Sequence, residues 1–380
     1  MKKGNVLFLG NSGVGKTTLI NSIMGTDAET GIGIDGTTKE AKAYDNDDVP
    51  FRIIDTMGFE PTKWFQKNKA VQDIKKWSKN AANNQDEENE FDLICLCVDG
   101  TSSKLFSKTI DEFLKSISVW KTVPIIVVIT KSYSIPDREL NIEMVKSAFE
   151  GKNRTPRGIY PVVASPYVIN DSYAVAPEGI SELIEGINEL MPEGIKAAKN
   201  DIDNYVLTRK RQLAHGSVVV FTGAGVTVGA IPIPFSDALL LVPTETSEIN
   251  LIAKIYSINN NDQYKVALKS IIDVGTVSLV AKQLISALKA IPGINVAASV
   301  INAIIAGVIV CGIGEASIYV FEQIYLGNKS IDDIDWIKNS IEKYLSNGSF
   351  ISKLQTAISK LPENPSKSDI LQMIIKLFGK

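Results

Sequence analysis

The most informative pattern near the N-terminus is Gly10-Asn11-Ser12-Gly13-Val14-Gly15-Lys16-Thr17. An apolar run, Val6 to Leu9, precedes it and is typical of a buried strand, and a helical pattern follows it. The glycines allow successive backbone N–H groups to point at phosphate oxygens, and the start of the helix adds a partial positive charge. The stretch therefore predicts a P-loop that binds the phosphates of a nucleoside triphosphate through Asn11, Ser12, Gly13, Val14, Gly15, Lys16, Thr17 and Thr18.

Two side chains of this loop and a second motif predict a Mg²⁺ site. Lys16 is long enough to reach the outer phosphates, and the Thr17 hydroxyl is a suitable Mg²⁺ ligand. Further along the chain, a predicted strand from Phe51 to Ile54 runs directly into a D-x-x-G motif. In this arrangement Asp55 is expected to hold Mg²⁺, and the backbone N–H of Gly58 is expected to contact a γ-phosphate.

A threonine pair, Thr37 and Thr38, lies between these two motifs and just before a predicted strand. A hydroxyl at this place completes the Mg²⁺ shell when a first switch segment closes, and Thr38 is the preferred candidate, with Thr37 as the alternate. The simpler interpretation is that threonine merely begins a strand. Both interpretations remain open from the sequence.

Strand and helix patterns alternate through the first half of the chain, which predicts an α/β fold with a mostly parallel sheet and helices on both faces. This is the three-layer fold of P-loop NTPases, with an all-α C-terminal domain behind it. The predicted domains are 1–194 for nucleotide binding, 195–329 as an apolar helical domain and 330–380 as a helical tail. The further predicted strands are Glu40 to Tyr44, Leu93 to Val98, Ile125 to Ile129 and Tyr160 to Ala164.

The gapped order of P-loop, Thr38 and Asp55–Gly58 resembles the translation-factor-related class of P-loop GTPases. Within that class, Asp55-Thr56-Met57-Gly58-Phe59 and the segment Phe91 to Asp99 resemble septins, immunity-associated GTPases and chloroplast import receptors. The resemblance covers about the first half of the chain. It implies GTP as ligand, Mg²⁺ as cofactor, GTPase activity and a homodimer through the nucleotide face.

The base-reading motif departs from the family pattern. The family reads guanine with [NT]-K-x-D, and here Thr130 and Lys131 fit while Tyr133 replaces the aspartate. A neutral phenol does not offer the two acceptor oxygens of a carboxylate. Asp137 is the one nearby substitute, and the last loop reads Ala164-Ser165, the reverse of the family order. GTP is expected on the family resemblance, and ATP is the alternative.

Hydrolysis is expected to be slow. Ras-type enzymes position the attacking water with a glutamine after D-x-x-G, whereas Phe59 and Glu60 follow the motif here. A phenyl ring cannot orient water, so turnover depends on another group, such as a partner protomer, an arginine in trans or the backbone. The polar stretch from Lys63 to Glu90 is either a solvated loop or a second switch that orders when nucleotide binds.

The second half of the chain changes in composition. A helix with a basic cluster, Arg209-Lys210-Arg211, is predicted from Ile195 to Leu213, and two uncharged runs follow, Gly216 to Ser236 and Ala290 to Gly314. The second run has the length of about 20 residues that spans a bilayer. Either these runs insert into a membrane, with the basic cluster on the cytoplasmic side, or they form the buried centre of a soluble helical domain.

The segment from Ala214 to Leu326 also resembles an uncharacterised bacterial helical domain found behind GTP-binding domains. The resemblance rests on Ile231-Pro232-Ile233-Pro234-Phe235-Ser236-Asp237-Ala238 and on Ile249 to Ser257, where Ser257 stands at the usual place of a glycine. It implies a domain arrangement and no activity. Residues 214–326 are the predicted contact to a membrane or a protein partner.

Charge and targeting signals set the remaining expectations. The net charge of −3 gives no basic footprint for nucleic acid. The apolar stretch near the N-terminus is too short for a signal peptide, so the expected location is cytoplasmic, with association at the inner face of a membrane as an addition. The leading hypothesis is a GTP-dependent switch with output through the helical domain. The alternatives are a nucleotide-loaded structural module with vestigial hydrolysis and a membrane-integral protein.

Overall fold

The computed structural model describes residues 3–25, 30–31, 41–46, 49–56, 91–118, 120–170, 173–193, 195–197, 199–230, 241–277, 298–345, 348–362 and 364–378. The chain forms two compact units. We call them the α/β unit, which comprises Met1–Tyr167 and Pro177–Arg209, and the helical unit, which comprises Val168–Ala176 and Lys210–Lys380. The predicted boundaries at 194 and 329 stay predictions.

A single mixed sheet forms the centre of the α/β unit. Its strands are β1 (Gly4–Gly10), β2 (Thr30–Gly31), β3 (Ala41–Tyr44), β4 (Phe51–Thr56), β5 (Leu93–Asp99), β6 (Ile125–Thr130) and β7 (Gly158–Pro161). Their order in the sheet is β2-β3-β4-β1-β5-β6-β7. From β4 to β7 all neighbours are parallel, whereas β2, β3 and β4 pair antiparallel.

Helices cover the sheet because both faces of its central strands are apolar. Helices α1 (Lys16–Met24), α2 (Phe106–Ser116), α3 (Ile135–Phe149) and α4 (Ile180–Glu189) lie in this unit. One hydrophobic cluster joins alternate residues of β1, β5 and β6 to α2 and α3. The intervening side chains, such as Val6 and Phe8, are fully buried as well, and α1 and α4 contact β1 and β7. The alternation of buried strand and amphipathic helix thus predicts this part correctly.

Helices dominate the rest of the chain. A two-stranded sheet, β8 (Tyr167–Asn170) and β9 (Tyr173–Val175), precedes them and was not predicted. The helices are α5 (Lys199–Gly229), α6 (Val242–Ile255), α7 (Asp262–Val277), α8 (Ala298–Tyr325), α9 (Ile334–Leu345), α10 (Gly348–Ile358) and α11 (Lys367–Leu377). The predicted fold class, an α/β P-loop fold plus a helical C-terminal region, is confirmed.

Helix α8 is the centre of the helical unit, where it contacts α6, α7, α9 and α11. It also lies close to α5, because glycines on both helices remove the side chains that would separate them. A Cβ on Gly225 would meet Val310 at 2.9 Å, and a Cβ on Gly307 would meet Val226 at 2.6 Å. The small residues in the uncharged runs therefore serve close helix packing.

Among the described residues, α8 alone has the length and apolar composition to cross a membrane. Of its most apolar 18-residue window, 94% is buried inside the protein. The core helix of a soluble bundle has the same length and composition, so these properties alone do not assign a membrane span. Residues 231–240 and 278–297, which include Pro232, Pro234 and the start of the second uncharged run, lie outside the described residues.

The basic cluster of α5 is used inside the protein. The Arg209 guanidinium is buried and donates through Nε to the Ser22 carbonyl at 2.8 Å, within the α/β unit. Lys210 is also buried and donates to the Ile255 carbonyl at 2.6 Å. Arg211 forms a two-bonded ion pair with Glu322 at 2.5 and 2.6 Å. These contacts account for three positive charges that the sequence also allowed to face a membrane.

Candidate functional site

The P-loop lies between β1 and α1, as its sequence predicts. Gly13 has a φ of +75° and Gly15 a φ of +95°, which is the left-handed region where a side chain is strained. The Val14 amide donates to the Asn11 carbonyl at 3.2 Å and closes the turn. Gly10 has no room for a side chain, because a Cβ there would lie 3.0 Å from the Cβ of Cys97. The glycine spacing thus shapes a loop whose next residue, Lys16, begins the helix.

Lys16 and Asp55 form a buried ion pair at this loop. Strand β1 runs parallel to β4 with Phe8 opposite Asp55, so the end of β4 reaches the start of α1. The Lys16 Nζ donates to Asp55 Oδ1, and both residues are less than a tenth exposed. A buried charge is costly unless it is paired, and here each charge compensates the other.

The oxygen donors beside this pair fit the implied Mg²⁺. The Asp55 carboxylate supplies hard anionic oxygen, and Thr17, exposed on the first turn of α1, supplies a hydroxyl one residue from Lys16. Mg²⁺ is commonly held by one or two protein oxygens together with phosphates and waters. Where the structure describes the chain, it places no three metal-ligating His, Cys, Asp or Glu side chains together. The chemistry of Thr17 and Asp55 nevertheless suits such a shared site.

Thr130, the last residue of β6, ties this strand to the P-loop. Its hydroxyl oxygen is 2.5 Å from the Val14 carbonyl oxygen and 2.9 Å from that of Val98, and it donates its single hydrogen to one of them at a time. Thr130 is 1% exposed. Its role in this structure is therefore to position the loop, and the predicted contact to nucleotide stays a prediction.

Lys131 makes a second link to the P-loop. Its Nζ donates to the Gly13 carbonyl at 2.7 Å and to Asp99 Oδ2 at 2.6 Å. The backbone of Lys131 has a φ of +52°, which turns the chain sharply after β6. Gly100 allows this close approach, since a Cβ there would lie 2.8 Å from the Thr130 carbonyl oxygen. The stem of Lys131 thus extends along the loop, where a base could lie.

Asp99 belongs to this site although the sequence did not single it out. Burial opposes its charge, but hydrogen bonds from Lys131 and Thr101 outweigh that effect and hold its pKa below the ordinary aspartate value. Its position could have been inferred, because Asp99 ends β5, and the carboxyl ends of β1, β5 and β6 meet at one edge of the sheet. Asp99 fixes the cation of Lys131 beside the P-loop.

Tyr133 stands where the family pattern has its base-reading aspartate. Its ring stacks on Tyr167, with centroids 4.1 Å apart and an angle of 16° between the planes. Asp137, the predicted substitute, lies in the first turn of α3 with an exposed side chain. Ala164 and Ser165 follow β7, half-buried and exposed respectively. The sequence did not identify Tyr167 as part of this region.

Several predicted site residues lie outside the part of the chain that the structure describes. These are Thr38 and its alternate Thr37, the Gly58 of the D-x-x-G motif, and Phe59 and Glu60 behind it. The structure brings together the P-loop, Lys16, Thr17, Asp55, Thr130 and Lys131 at one edge of the sheet. The assignment of individual residues to phosphate, base or metal stays a prediction.

Comparison with known proteins agrees with this geometry. Residues 5–131 match the model of the 50S ribosome-binding GTPase family. No curated protein sequence matches the chain significantly.

Solved GTPase structures are similar at low identity. A probable GTP-binding protein EngB is 22% identical, with 49% of this chain and 98% of that chain covered and a TM-score of 0.35. The bacterial selenocysteine-specific elongation factor EF-Sec is 22% identical, with 50% and 29% covered and a TM-score of 0.34. The G domain of the T. maritima FeoB iron transporter is 15% identical, with 50% and 98% covered and a TM-score of 0.30.

The family match, the P-loop geometry and the sheet topology coincide in the same residues. The match begins within β1 and ends at Lys131, and so includes the loop, Asp55 and the end of β6. The narrower septin-like relationship and the helical-domain family are not part of this match. The N-terminal part of the chain therefore contains a GTP-binding P-loop GTPase domain.

Proposed function

We propose that the chain is a GTP-dependent switch with slow hydrolysis, whose helical unit carries the output. The observation that carries this proposal is the buried Lys16–Asp55 pair directly behind the P-loop. The pair places the Lys16 cation at the loop, and triphosphate oxygens are acceptors of the same kind as the Asp55 carboxylate. A bound triphosphate would therefore contact this buried positive charge.

The residues divide the work in the proposed complex. Lys16 would hold the outer phosphates, the loop N–H groups would surround the inner ones, and Asp55 and Thr17 would hold Mg²⁺. When bound, Mg²⁺ neutralises charge on the β- and γ-phosphate oxygens. Gly58 and Thr38 are proposed to contact the γ-phosphate side and to order the two switch segments. Loss of the γ-phosphate would then release them.

Slow hydrolysis is proposed because of the two residues that follow the D-x-x-G motif, Phe59 and Glu60. Phe59 and Glu60 supply no amide that orients water, so the chain by itself stabilises the transition-state charge chiefly through Lys16 and the loop. A homodimer through the nucleotide face is the proposed source of the missing group. This arrangement makes turnover per protomer depend on protein concentration.

The output is proposed to pass through residues 214–326 to a protein partner or to the inner face of a membrane, from a cytoplasmic location. The burial of α8 supports a packed helical module over a spanning one, because 94% of its most apolar window already faces protein. Carbonate extraction of cell membranes tests this point. Release of the chain into the supernatant is expected, and retention in the membrane would favour the membrane-integral alternative.

Nucleotide binding by the purified chain is the primary test. GTP is expected to bind in the presence of Mg²⁺, and Lys16→Ala is expected to lower affinity by at least about 100-fold, because a charge-assisted contact to phosphate is lost at a buried position. Lys146→Ala is the matched control, since Lys146 is 57% exposed on α3. Tight GTP binding by the Lys16→Ala variant would remove the basis of the proposal.

Single-turnover hydrolysis over a range of protein concentrations tests the switch itself. A low rate that rises per protomer with concentration is expected. A flat rate near zero would favour a structural module with vestigial hydrolysis. A fast rate independent of concentration would contradict the prediction drawn from Phe59.

A further inference from the structure

A tyrosine follows β6 where the family pattern has a carboxylate, and it forms an aromatic pair with Tyr167 at the start of β8. Tyr133 follows Lys131 by two residues, and Lys131 is bonded to the Gly13 carbonyl of the P-loop. Burial is the main cause that raises the pKa of the Tyr133 phenol. Tyr133 therefore comes directly after a segment that is bonded to the P-loop.

Two carboxylates of this region are bound to other groups. Asp99 accepts from Lys131 through Oδ2 and from the Thr101 amide and hydroxyl through Oδ1. Glu178 pairs with Arg138 at 2.9 Å. A third, Asp137, is exposed in the first turn of α3, where its charge favours the helix. Asp99 and Glu178 are therefore committed to cations and are not free to read guanine.

The two rings offer a different kind of contact. They are nearly parallel at 4.1 Å, and Tyr167 is 45% exposed, so the pair presents accessible aromatic surface. A base stacks on such a surface through its π face, which guanine and adenine both possess. A carboxylate instead accepts from the N1 and N2 donors that guanine has and adenine lacks. Stacking therefore holds a purine without reading these donors.

We propose that the base of the bound nucleotide stacks on the Tyr133–Tyr167 pair, and that the site accepts purine nucleoside triphosphates with little discrimination between guanine and adenine. This inference rests on the proposed nucleotide-binding function of the P-loop and names the substrate class of the same site. The stem of Lys131, fixed by Gly13 and Asp99, lines the adjoining side of the base position.

Competition binding with the full chain tests the inference. A fluorescent GTP analogue is displaced by GTP, ATP or inosine triphosphate, which lacks the exocyclic amino group of guanine. The three dissociation constants are expected to agree within about tenfold, since stacking tolerates different bases. A preference for GTP over ATP of about 1,000-fold or more would overturn the inference, because a site that reads donor groups discriminates at that level or above.

Substitutions of the tyrosine separate stacking from hydrogen bonding. Tyr133→Ala is expected to lower the affinities for GTP and ATP by the same factor. That factor is about 5- to 150-fold, the range for the loss of one aromatic–base stack. Tyr133→Asp is expected to raise the preference for GTP over ATP at least about tenfold, because it supplies two acceptor oxygens. Unchanged affinity in Tyr133→Ala would overturn the inference. So would an unchanged preference in a folded Tyr133→Asp variant.

Two further variants keep the test decisive. Tyr167→Ala removes the exposed member of the pair and tests the stack even if Tyr133 substitutions impair folding. It is expected to lower the affinities for GTP and ATP by the same factor. Unchanged affinities would overturn the inference. Tyr319→Asp makes the same acidic substitution at a tyrosine of α8 that is 48% exposed. This control is expected to leave the ratio of GTP affinity to ATP affinity unchanged. A raised ratio in the control would overturn the interpretation of Tyr133→Asp.

The failure of this inference and that of the proposed function give different results. If the wild-type chain binds no nucleotide, or if Lys16→Ala binds as tightly as wild type, the proposed function itself fails. If Lys16→Ala abolishes binding while the wild type strongly prefers GTP, the P-loop assignment holds and only the stacking inference fails.

Discussion

The two units of this chain both bury ionisable side chains, but they compensate them differently. In the α/β unit, Lys16 and Asp55 are buried as a direct ion pair. In the helical unit, Glu248 is fully buried, and neither of its carboxylate oxygens has a hydrogen-bond partner among the described residues. A paired charge can stay charged and exchange its partner for a ligand, whereas an unpaired buried carboxyl is stable only when protonated.

The surroundings of Glu248 strengthen this contrast. Burial raises its pKa well above the ordinary value, and the neighbouring Glu245 and Glu315 raise it further. Glu315 in turn lies 2.9 Å from Nδ1 of His215 on α5. The space beside Glu248 exists because position 314 on α8 is glycine, where a Cβ would collide with the glutamate. The helical unit thus contains a neutral acid where the α/β unit contains an ion pair.

The largest expected effect comes from removing one partner of the ion pair. Lys16→Met leaves Asp55 buried without its cation, and we expect a loss of about 3–5 kcal/mol in the unfolding free energy of the nucleotide-free α/β unit. Hydrogen exchange of peptides covering β1 and β4 measures this loss separately from the helical unit.

The matched control is an exposed ion pair. Lys146→Met removes a lysine whose pair with Glu143 is mostly solvent-exposed, and it should cost at most about 1 kcal/mol. In the double variant Lys16→Met with Asp55→Asn, about half of the lost stability should return, because no buried charge then remains unpaired. If the single and double variants are equally destabilised, Asp55 does not carry an uncompensated charge.

This contrast also shows what could be predicted from the sequence. The P-loop, Asp55 and the parallel strands follow from local patterns, since a strand, a glycine-rich turn and a helix must join at one sheet edge. The Tyr133–Tyr167 stack does not follow, because Tyr167 lies on β8, far along the chain, and nothing local in the sequence marks the contact. Lys131 was predicted from its motif. Asp99 was not predicted, and only its position at the end of β5 shows that it belongs to the site.

The helical unit was harder to predict for a related reason. The helix predicted to end at Leu213 continues in α5 to Gly229, through Gly223 and Gly225. Glycine in a helix is unfavourable by about 1 kcal/mol relative to alanine, and at Gly225 close packing against α8 offsets this cost. An uncharged run has the same composition whether protein or lipid surrounds it. The sequence therefore does not tell which of the two buries the run, and only the tertiary structure shows that α8 is packed against protein.

The second expected effect is a pH dependence of the helical unit. The pKa of Glu248 is raised in the folded state, so between the ordinary glutamate value of 4.5 and that raised value the folded state binds one more proton than the unfolded state. Stability should therefore fall as pH rises above about 5, by up to about 1.4 kcal/mol per pH unit. Hydrogen exchange in α6 and α8, corrected for intrinsic rates, measures this slope.

Glu248→Gln provides the control for that slope. Glutamine keeps the size of the side chain and cannot ionise, so the dependence above pH 5 should become flatter and the unit should gain stability at pH 8 relative to wild type. The charges of Glu245 and Glu315 act on Glu248, and His215 lies opposite Glu315. A slope that is unchanged in Glu248→Gln would show that a group other than Glu248 takes up the proton.

A smaller effect is expected from the close contact of α5 and α8. A Cβ at Gly229 would lie 2.6 Å from the Asn302 carbonyl oxygen and 2.9 Å from the Ala303 Cα, so backbone must shift. Gly229→Ala should therefore destabilise the helical unit by about 1–3 kcal/mol. On the same helix, a Cβ at Gly216 would meet nothing within 4 Å, and Gly216→Ala should stabilise by up to about 1 kcal/mol. Equal effects in thermal unfolding would contradict the packing described for α5 and α8.

The smallest expected effect concerns a backbone feature that both units share. Among the described residues, Lys131 and Ser257 are the non-glycine positions with positive φ, at +52° and +58°. Lys131 bonds to the P-loop at the Gly13 carbonyl. Ser257 follows α6, and its hydroxyl oxygen accepts a hydrogen bond from Lys210 at 3.2 Å. Ser257→Gly relieves the left-handed strain, and Ser257→Ala retains it while losing the same hydroxyl.

The difference between these two variants isolates the strain from the hydroxyl contact. We expect the Ser257→Gly variant to be about 1 kcal/mol more stable than Ser257→Ala, since glycine adopts this conformation without a Cβ penalty. Denaturant unfolding, monitored by hydrogen exchange in α6, measures the difference in stability between the two variants. Equal stability of the two variants would mean that the hydroxyl contact to Lys210, and not the backbone conformation, decides the residue at this position. In that case the helical unit, like the α/β unit at Lys131, would use its strained residue for a side-chain contact.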